Sequence, residues 1–515
     1  MARKSGVLLH ISSLPGYYGV GDFGYEAEKF ALFIKKSGFS VWQVLPLTPA
    51  VPIFGNSPYS TVSAFAGSFL FISPDKLCAK GLVSKDELSS RILCSSAAAD
   101  YEKAAEVRME LLAMAWKRFK SLERFSELRA EYEIFKTKEA LWLDDYALFV
   151  FFKEKFNGIE WQKWPCDIKE RIFSKETLLM IEDERDKLDF TSFIQFIFAE
   201  QWKELHLYCA SLGIEIIGDM PMFVASDSSD VWAHGELFSL DAQGYPDSVA
   251  GVPPDYFSSE GQRWGNPLYL WESKKEELFE WWRARIASSL ANFDMIRIDH
   301  FRGFCACWSI PADAPTAVCG KWNKVPGREL LEYLQKNLCR NKDKLPFIAE
   351  DLGIITDDVR ELMDDFSLPG MKVLLFAFGG DVGNNPYAPH NIDERSAVYT
   401  GTHDNNTVLG WWRAESRARE RMSFRTYVGH SVSDSEAPFA MATLALISRA
   451  DLAVIPAQDI LELGGECRMN TPGTCLGNWK WRMSFEDFYK ITGENSVVSS
   501  LYMEKNIVCG RFCAD

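Results

Sequence analysis

Eight short apolar runs, each closing on polar or turn-forming residues, constrain the fold of this chain more than any other feature. They lie at residues 6–11, 41–47, 214–218, in the apolar part of 293–303, and at 347–349, 371–376, 397–400 and 452–456. Continuous short apolar runs suit parallel strands covered on both faces. Between them, charged and apolar residues recur at helical spacing, at 26–37, 190–212, 276–292, 329–338, 357–365 and 439–448. Alternation of strand and helix implies a parallel sheet, and eight units imply a closed (β/α)8 TIM-type barrel. A doubly wound open sheet is the alternative, but no Gly-rich dinucleotide turn follows any run.

The 515 residues are more than one barrel needs, and barrels with insertions can exceed roughly 400 residues. Residues 1–73 read as the start of the barrel, strands one and two, with a Pro/Ser/Asn-rich active-site loop. Residues 74–188 read as a mostly helical inserted subdomain, with helical spacing at 103–122 and 132–156. Residues 189–515 read as the rest of the barrel, carrying a loop-rich insertion at about 222–270.

The fourth run holds the first chemical signal. Side chains alternate between the faces of a strand, so Met295, Arg297 and Asp299 share one face and Ile296 and Ile298 the other. The isoleucines suit an outer helix layer. Arg297 on the inner face can hold Asp299 ionised, which suits a carboxylate nucleophile; a purely structural ion pair is the alternative. Glu350 follows run five, Asp404 follows run seven and Asp219 ends run three. Barrel active sites are built at this end of the strands. One ionised and one protonated carboxyl group flanking a bond is the requirement of glycoside chemistry, with Glu350 in the less charge-stabilised setting that keeps a proton. A third carboxylate, Asp404, can hold hydroxyls and stabilise an oxocarbenium-like state.

Sugars also need aromatic faces, and Tyr59, Tyr256, Phe257 and Trp264 stand in loop segments. His300 and His403 each adjoin a candidate catalytic Asp. A metal pair is conceivable for them, but no third ligand at zinc spacing is visible, and neutral hydrogen bonding to sugar is the preferred reading. The formal net charge of −16 argues against a nucleic-acid partner. The twelve cysteines form no zinc spacing, and no uncharged apolar run approaches the roughly 20 residues of a membrane span. A reducing cytoplasm is the simplest compartment.

These residues resemble the 4-α-glucanotransferases, the amylomaltase or disproportionating-enzyme family. The match includes Leu8-Leu9-His10-Ile11-Ser12-Ser13-Leu14-Pro15-Gly16, Asn56-Ser57-Pro58-Tyr59-Ser60 and Gly218-Asp219-Met220-Pro221. It continues through Gly251-Val252-Pro253-Pro254-Asp255-Tyr256-Phe257, Arg297-Ile298-Asp299-His300-Phe301-Arg302-Gly303 and Ala349-Glu350-Asp351-Leu352-Gly353. Thr402-His403-Asp404-Asn405, Arg468-Met469-Asn470-Thr471-Pro472-Gly473 and Gly477-Asn478-Trp479-Lys480-Trp481-Arg482 complete it. The resemblance implies an α-amylase-like barrel with inserted subdomains and no separate C-terminal β-domain. It also implies transfer of an α-1,4-glucan segment to the 4-hydroxyl of another glucan, without metal or organic cofactor. By motif position, Asp299 is the expected nucleophile, Glu350 the general acid/base and Asp404 the transition-state stabiliser. Tyr59, Asp219, Arg297 and His403 are expected around the reacting glucose; Ser57, Trp264, His300, Asp381 and Asn470 are expected at neighbouring units. Residues 251–264, with Tyr256 and Phe257, resemble the family's cover over the site. Ile11-Ser12 stands where the family often has Pro-Thr, and Asn406 where it often has Asp. An α-glucan hydrolase using the same residues, and a non-catalytic glucan-binding barrel, are the alternatives.

Overall fold

The computed structural model describes residues 3–51, 55–94, 96–254, 258–339, 344–474 and 476–512. Eight parallel strands close into a barrel: β1 (Lys4–Leu8), β2 (Val41–Gln43), β3 (Glu215–Met220), β4 (Met295–Ile298), β5 (Phe347–Ala349), β6 (Gly370–Val373), β7 (Ser396–Tyr399) and β8 (Leu452–Pro456). Each strand pairs with its neighbours in sequence, and β1 pairs with β8 to close the ring. Outside β4, the helix Lys275–Asn292 buries Leu278, Trp282 and Ile286 in the same apolar cluster as Ile296 and Ile298. The two isoleucines therefore face outward, and Arg297 faces the barrel interior.

All eight runs become strands; 347–349 and 452–456 do so end to end, and the other six with shifted ends. Run one ends as a strand at Leu8, although the Leu9 N–H still donates to the Gln43 carbonyl at 3.0 Å, and Ile11–Ser13 forms a 3-10 turn. Ile11 is apolar because it is buried there. Run two stops at Gln43, although the Val44 N–H still donates to the Ile217 carbonyl at 2.9 Å; Pro46 beyond it has no N–H for a ladder. Run six ends at Val373, and Leu374–Phe376 turns as a 3-10 segment.

Between β2 and β3 lie the helices Pro74–Ala79, Lys85–Ser89, Tyr101–Ser121, Ser126–Lys155, Cys166–Lys169 and Lys175–Asp183, followed by Arg185–Ser211, which leads into β3. The segment at about 222–270, expected to be loop-rich, contributes two strands instead. Ser248–Val252 and Gln262–Pro267 join Ala306–Pro311 and Lys321–Lys324 in a four-stranded antiparallel sheet. Its Gly and Pro content hides it, since one pairing contains a register shift between Val249 and Gly251. Gly251 is required there: a Cβ would lie 2.1 Å from the Gln262 carbonyl oxygen. After β8 the described elements are helical, including Phe485–Thr492 and Val497–Val508. No helix among the described residues is long and apolar enough to cross a membrane.

Two buried arginines tie remote segments to the mouth of the barrel. Arg482 donates to the carbonyls of Leu14, Gly16 and Gly19 beyond β1. Arg108, on the helix Tyr101–Ser121, donates to the Ile72, Tyr18 and Val20 carbonyls and to Asp22. Buried carbonyls left without donors would each cost about 1–3 kcal/mol, so these two side chains fix the path of the loop after β1.

Gly6 of β1 faces Val41 of β2. A Cβ at Gly6 would lie 2.6 Å from the Val41 Cβ and 2.7 Å from its carbonyl oxygen, neither of which can swing aside. Gly6→Ala is expected to destabilise by about 1–3 kcal/mol through overpacking, measured as a lower midpoint of urea unfolding. An unchanged midpoint would show that β1 and β2 are not this closely apposed.

Candidate active site

The strand ladder sets the site. Asp219 on β3 is the register partner of Arg297 on β4, and Ile298 is the partner of Ala349 on β5. Pairing continues one residue further. The Asp299 N–H donates to the Met220 carbonyl at 3.0 Å and the Glu350 N–H to the Ile298 carbonyl at 3.1 Å. Asp299 and Glu350 therefore stand side by side at the top of adjacent strands.

Arg297 lies at the centre. Its Nη1 donates to both oxygens of Asp219, at 2.8 and 2.7 Å, and its Nη2 donates to Asp299 Oδ1 at 2.9 Å. The side chains of Arg297 and Asp219 are 4% and 0% exposed, that of Asp299 30%. One carboxylate is thus sealed beneath the guanidinium and the other opens to the mouth. Burial works against the guanidinium charge, but the two Asp charges outweigh it and raise Arg297 well above its ordinary range. The Tyr59 hydroxyl donates to Asp219 Oδ2 at 2.8 Å; burial and the Asp219 charge keep that phenol protonated.

Glu350 has a different setting. The backbone N–H of His300 donates to its Oε2 at 2.8 Å and that of Leu352 to its Oε1 at 3.0 Å. His300 reaches this position in a left-handed conformation, φ 52°, rare for a non-glycine residue and characteristic of functional sites. Burial pushes Glu350 up to about 7; Arg297 opposes this and the Asp299 charge adds to it. Burial also lowers the His300 imidazole to about 4, so it is neutral at physiological pH. Its ring meets the half-exposed Trp264 edge to face at 4.9 Å.

Asp404 is held from the other side of the mouth. The Asn470 amide donates to its Oδ1 at 2.6 Å, and His403 Nε2 lies 3.4 Å from its Oδ2. Burial alone would raise this carboxyl; the His403 charge and hydrogen bond, Asn470 and Arg297 bring it below the ordinary range. Burial likewise works against protonation of His403, and the Asp404 charge and hydrogen bond overcome it, raising that imidazole. The His403 ring stacks on Tyr59, with centroids 5.2 Å apart.

The structure thus brings together Asp299, Glu350, Asp404, Tyr59, Asp219, Arg297, His300, His403, Trp264 and Asn470. Ser57 stands in the same turn as Tyr59, whose N–H it accepts. Asp381 is exposed on the loop after β6, where Asn384 donates to it at 2.7 Å. Tyr256 and Phe257 lie outside the described residues. Two residues in this shell carry no role in the sequence reading. Trp479 packs at 5.9 Å from both Tyr59 and His403, and Arg468 donates to the Asp404 carbonyl at 2.7 Å. Both stand in quoted motifs, yet nothing local shows that segments 64 or more residues apart meet here. Among the described residues, no cluster of three His, Cys, Asp or Glu could hold a metal ion.

A sequence model of the 4-alpha-glucanotransferases matches residues 9–487. The chain belongs to this family. It is 42% identical over 487 residues to the 4-alpha-glucanotransferase of Aquifex aeolicus, spanning 94% of this chain and 96% of that one. With the Thermus thermophilus 4-alpha-glucanotransferase it shares 44% identity over 490 residues, 94% of this chain and 95% of the relative. Among solved structures, the amylomaltase from Streptococcus agalactiae in complex with acarbose superposes with a TM-score of 0.92 at 36% identity, covering 99% of this chain and 100% of that one.

The raised Glu350 predicts a pH-dependent stability for this chain. A carboxyl raised on folding is stabilising while protonated, and that contribution is lost as pH rises from the ordinary glutamate value of 4.5 through about 7. Glu350→Gln carries no such charge. Its stability relative to wild type is expected to rise by on the order of 2 kcal/mol between pH 4 and pH 8, after allowance for solvent at the open mouth. Unfolding midpoints that keep a constant difference across that range would contradict the shift.

Proposed function

We propose that the site performs a retaining double displacement on α-1,4-glucans. Asp299 attacks the anomeric carbon of the donor glucose. The bond to the departing glucan oxygen breaks, its electron pair stays on that oxygen, and Glu350 supplies the proton. Asp299 then carries the glucosyl segment as an ester. The 4-hydroxyl of an acceptor glucan attacks the same carbon and returns its proton to Glu350, and the ester bond breaks to regenerate the Asp299 carboxylate. Asp404 stabilises the positive charge that develops on the sugar in both steps.

The observation that carries this reading is the difference between two neighbouring carboxyl groups. Asp299 is paired with Arg297, while the donors to Glu350 among the described residues are backbone N–H groups and it is pushed up to about 7. Environments that separate two carboxyls in this way assign acid and nucleophile. Neighbouring parallel strands lie about 4.8 Å apart, which suits the roughly 5–5.5 Å carboxyl separation of retaining enzymes. Tyr59, Arg297 and His403 would line the reacting glucose, with Asp219 acting through Tyr59 and Arg297. Trp264, His300, Ser57, Asp381 and Asn470 would contact neighbouring units, and Tyr256 and Phe257 would belong to a cover that limits water. A cytoplasmic location fits this chemistry.

Maltotriose alone is expected to yield glucose together with a ladder of longer oligomers, resolved by chromatography. Reducing ends without longer products would mean hydrolysis, and no change would mean binding only. Glu350→Gln is expected to slow maltotriose turnover by about 10²–10⁴-fold and to spare donors with an acidic leaving group, which need little protonation. Equal losses on both donor types would remove Glu350 from the acid role.

A further inference from the structure

Among the described residues, the side-chain partners of the Asp404 carboxylate, His403 and Asn470, both lie on loops. Its position depends on a contact between two loops. One follows β7 and carries His403 and Asp404; the other follows β8 and carries Asn470. The Asn470 N–H donates to the His403 carbonyl at 3.0 Å, and its side-chain amide donates to Asp404 Oδ1 at 2.6 Å.

One guanidinium holds both loops. Arg468 Nε donates to the Asn470 carbonyl at 2.6 Å and Nη2 donates to the Asp404 carbonyl at 2.7 Å. Its Nη1 lies 3.2 Å from Glu415 Oε1. All three nitrogens are committed, each to a different segment. Glu415 closes a π-helical turn, Trp411–Glu415, an irregularity frequent at functional sites. Asn406, two residues after Asp404, donates its amide to the same Glu415 oxygen at 2.8 Å. A neutral donor there leaves the Glu415 charge to Arg468.

We infer that Arg468, anchored by Glu415, is a positioning residue that sets the Asp404 carboxylate for charge stabilisation. The inference rests on the catalytic reading above. A lysine retains the charge but cannot serve three directions from one plane. Misplacement of a catalytic group by about 1 Å can cost on the order of 10²-fold. Because Asp404 acts on charge that develops only in the transition state, loosening it should lower kcat far more than it raises KM.

The test is steady-state transfer on an α-maltosyl fluoride donor, with rates normalised to folded enzyme by circular dichroism. Arg468→Lys is expected to lower kcat by about 10–100-fold with KM within about threefold. Glu415→Gln, which keeps an acceptor and loses the charge, is expected to lower kcat by about 3–10-fold and serves if the lysine variant does not fold. In an Asp404→Asn background either change should lower kcat by less than about twofold, because the group it positions is already gone. The inference is overturned if kcat in the folded variants stays within about threefold of wild type for Arg468→Lys, if KM rises in step with the loss, or if the full loss persists in the Asp404→Asn background. Wild-type transfer is the control: without it the catalytic reading fails, whereas normal wild-type transfer with unaffected variants defeats this inference alone.

Discussion

A guanidinium group enclosed in a protein interior is unfavourable unless its charge and its donors are met. Arg297 meets that condition with two carboxylates on opposite sides, and the rest of the site follows from how they divide it. Asp219 takes two donations and is sealed beneath, which fixes the guanidinium plane. Asp299 takes the remaining one and faces the mouth. Glu350, on the next strand, is raised mainly by burial; the Arg297 charge opposes this and the Asp299 charge adds to it. Asp219 and Asp299 thus share one buried cation, while Glu350 accepts from backbone N–H groups and is raised by burial.

Across the mouth the same logic runs with weaker partners. Among the described residues, the side-chain partners of the Asp404 carboxylate are the amide of Asn470 and the imidazole of His403. His403 in turn stacks against Tyr59, which donates to Asp219. The two halves of the site are therefore linked through Tyr59, which His403 meets directly and through Trp479. A sugar placed between them meets a carboxylate on each side, which suits a cationic transition state, and an aromatic floor shared by Tyr59 and Trp479.

The barrel and its three carboxylates are legible in the sequence because parallel strands are buried on both faces. Each strand writes itself as an apolar run, and the first polar residue after it lies at the functional end. The period of two also places Arg297 and Asp299 on one face. It does not show that the stronger partner of Arg297 is Asp219, since that pairing is between strands and follows from register. The antiparallel sheet beside the mouth escapes notice because its strands are partly exposed and interrupted by Gly251 and Pro267. Arg468 and Trp479 escape for another reason. Their partners lie in loops distant along the chain, and no local pattern records which loops meet. His300 is marked in sequence for its side chain, but nothing there shows the left-handed backbone that directs its N–H at Glu350.

The central claim is that Asp299 carries the sugar. It is tested most directly by trapping the intermediate with a fluorinated α-glucosyl fluoride, whose good leaving group speeds formation of the ester while the ring fluorine slows its breakdown. After brief reaction, acid quench and proteolysis, peptide mass spectrometry should find one glycosyl adduct, on the peptide containing Asp299, and none in Asp299→Asn. An adduct on Glu350 or Asp404, or turnover of the reagent without any adduct, would contradict the account.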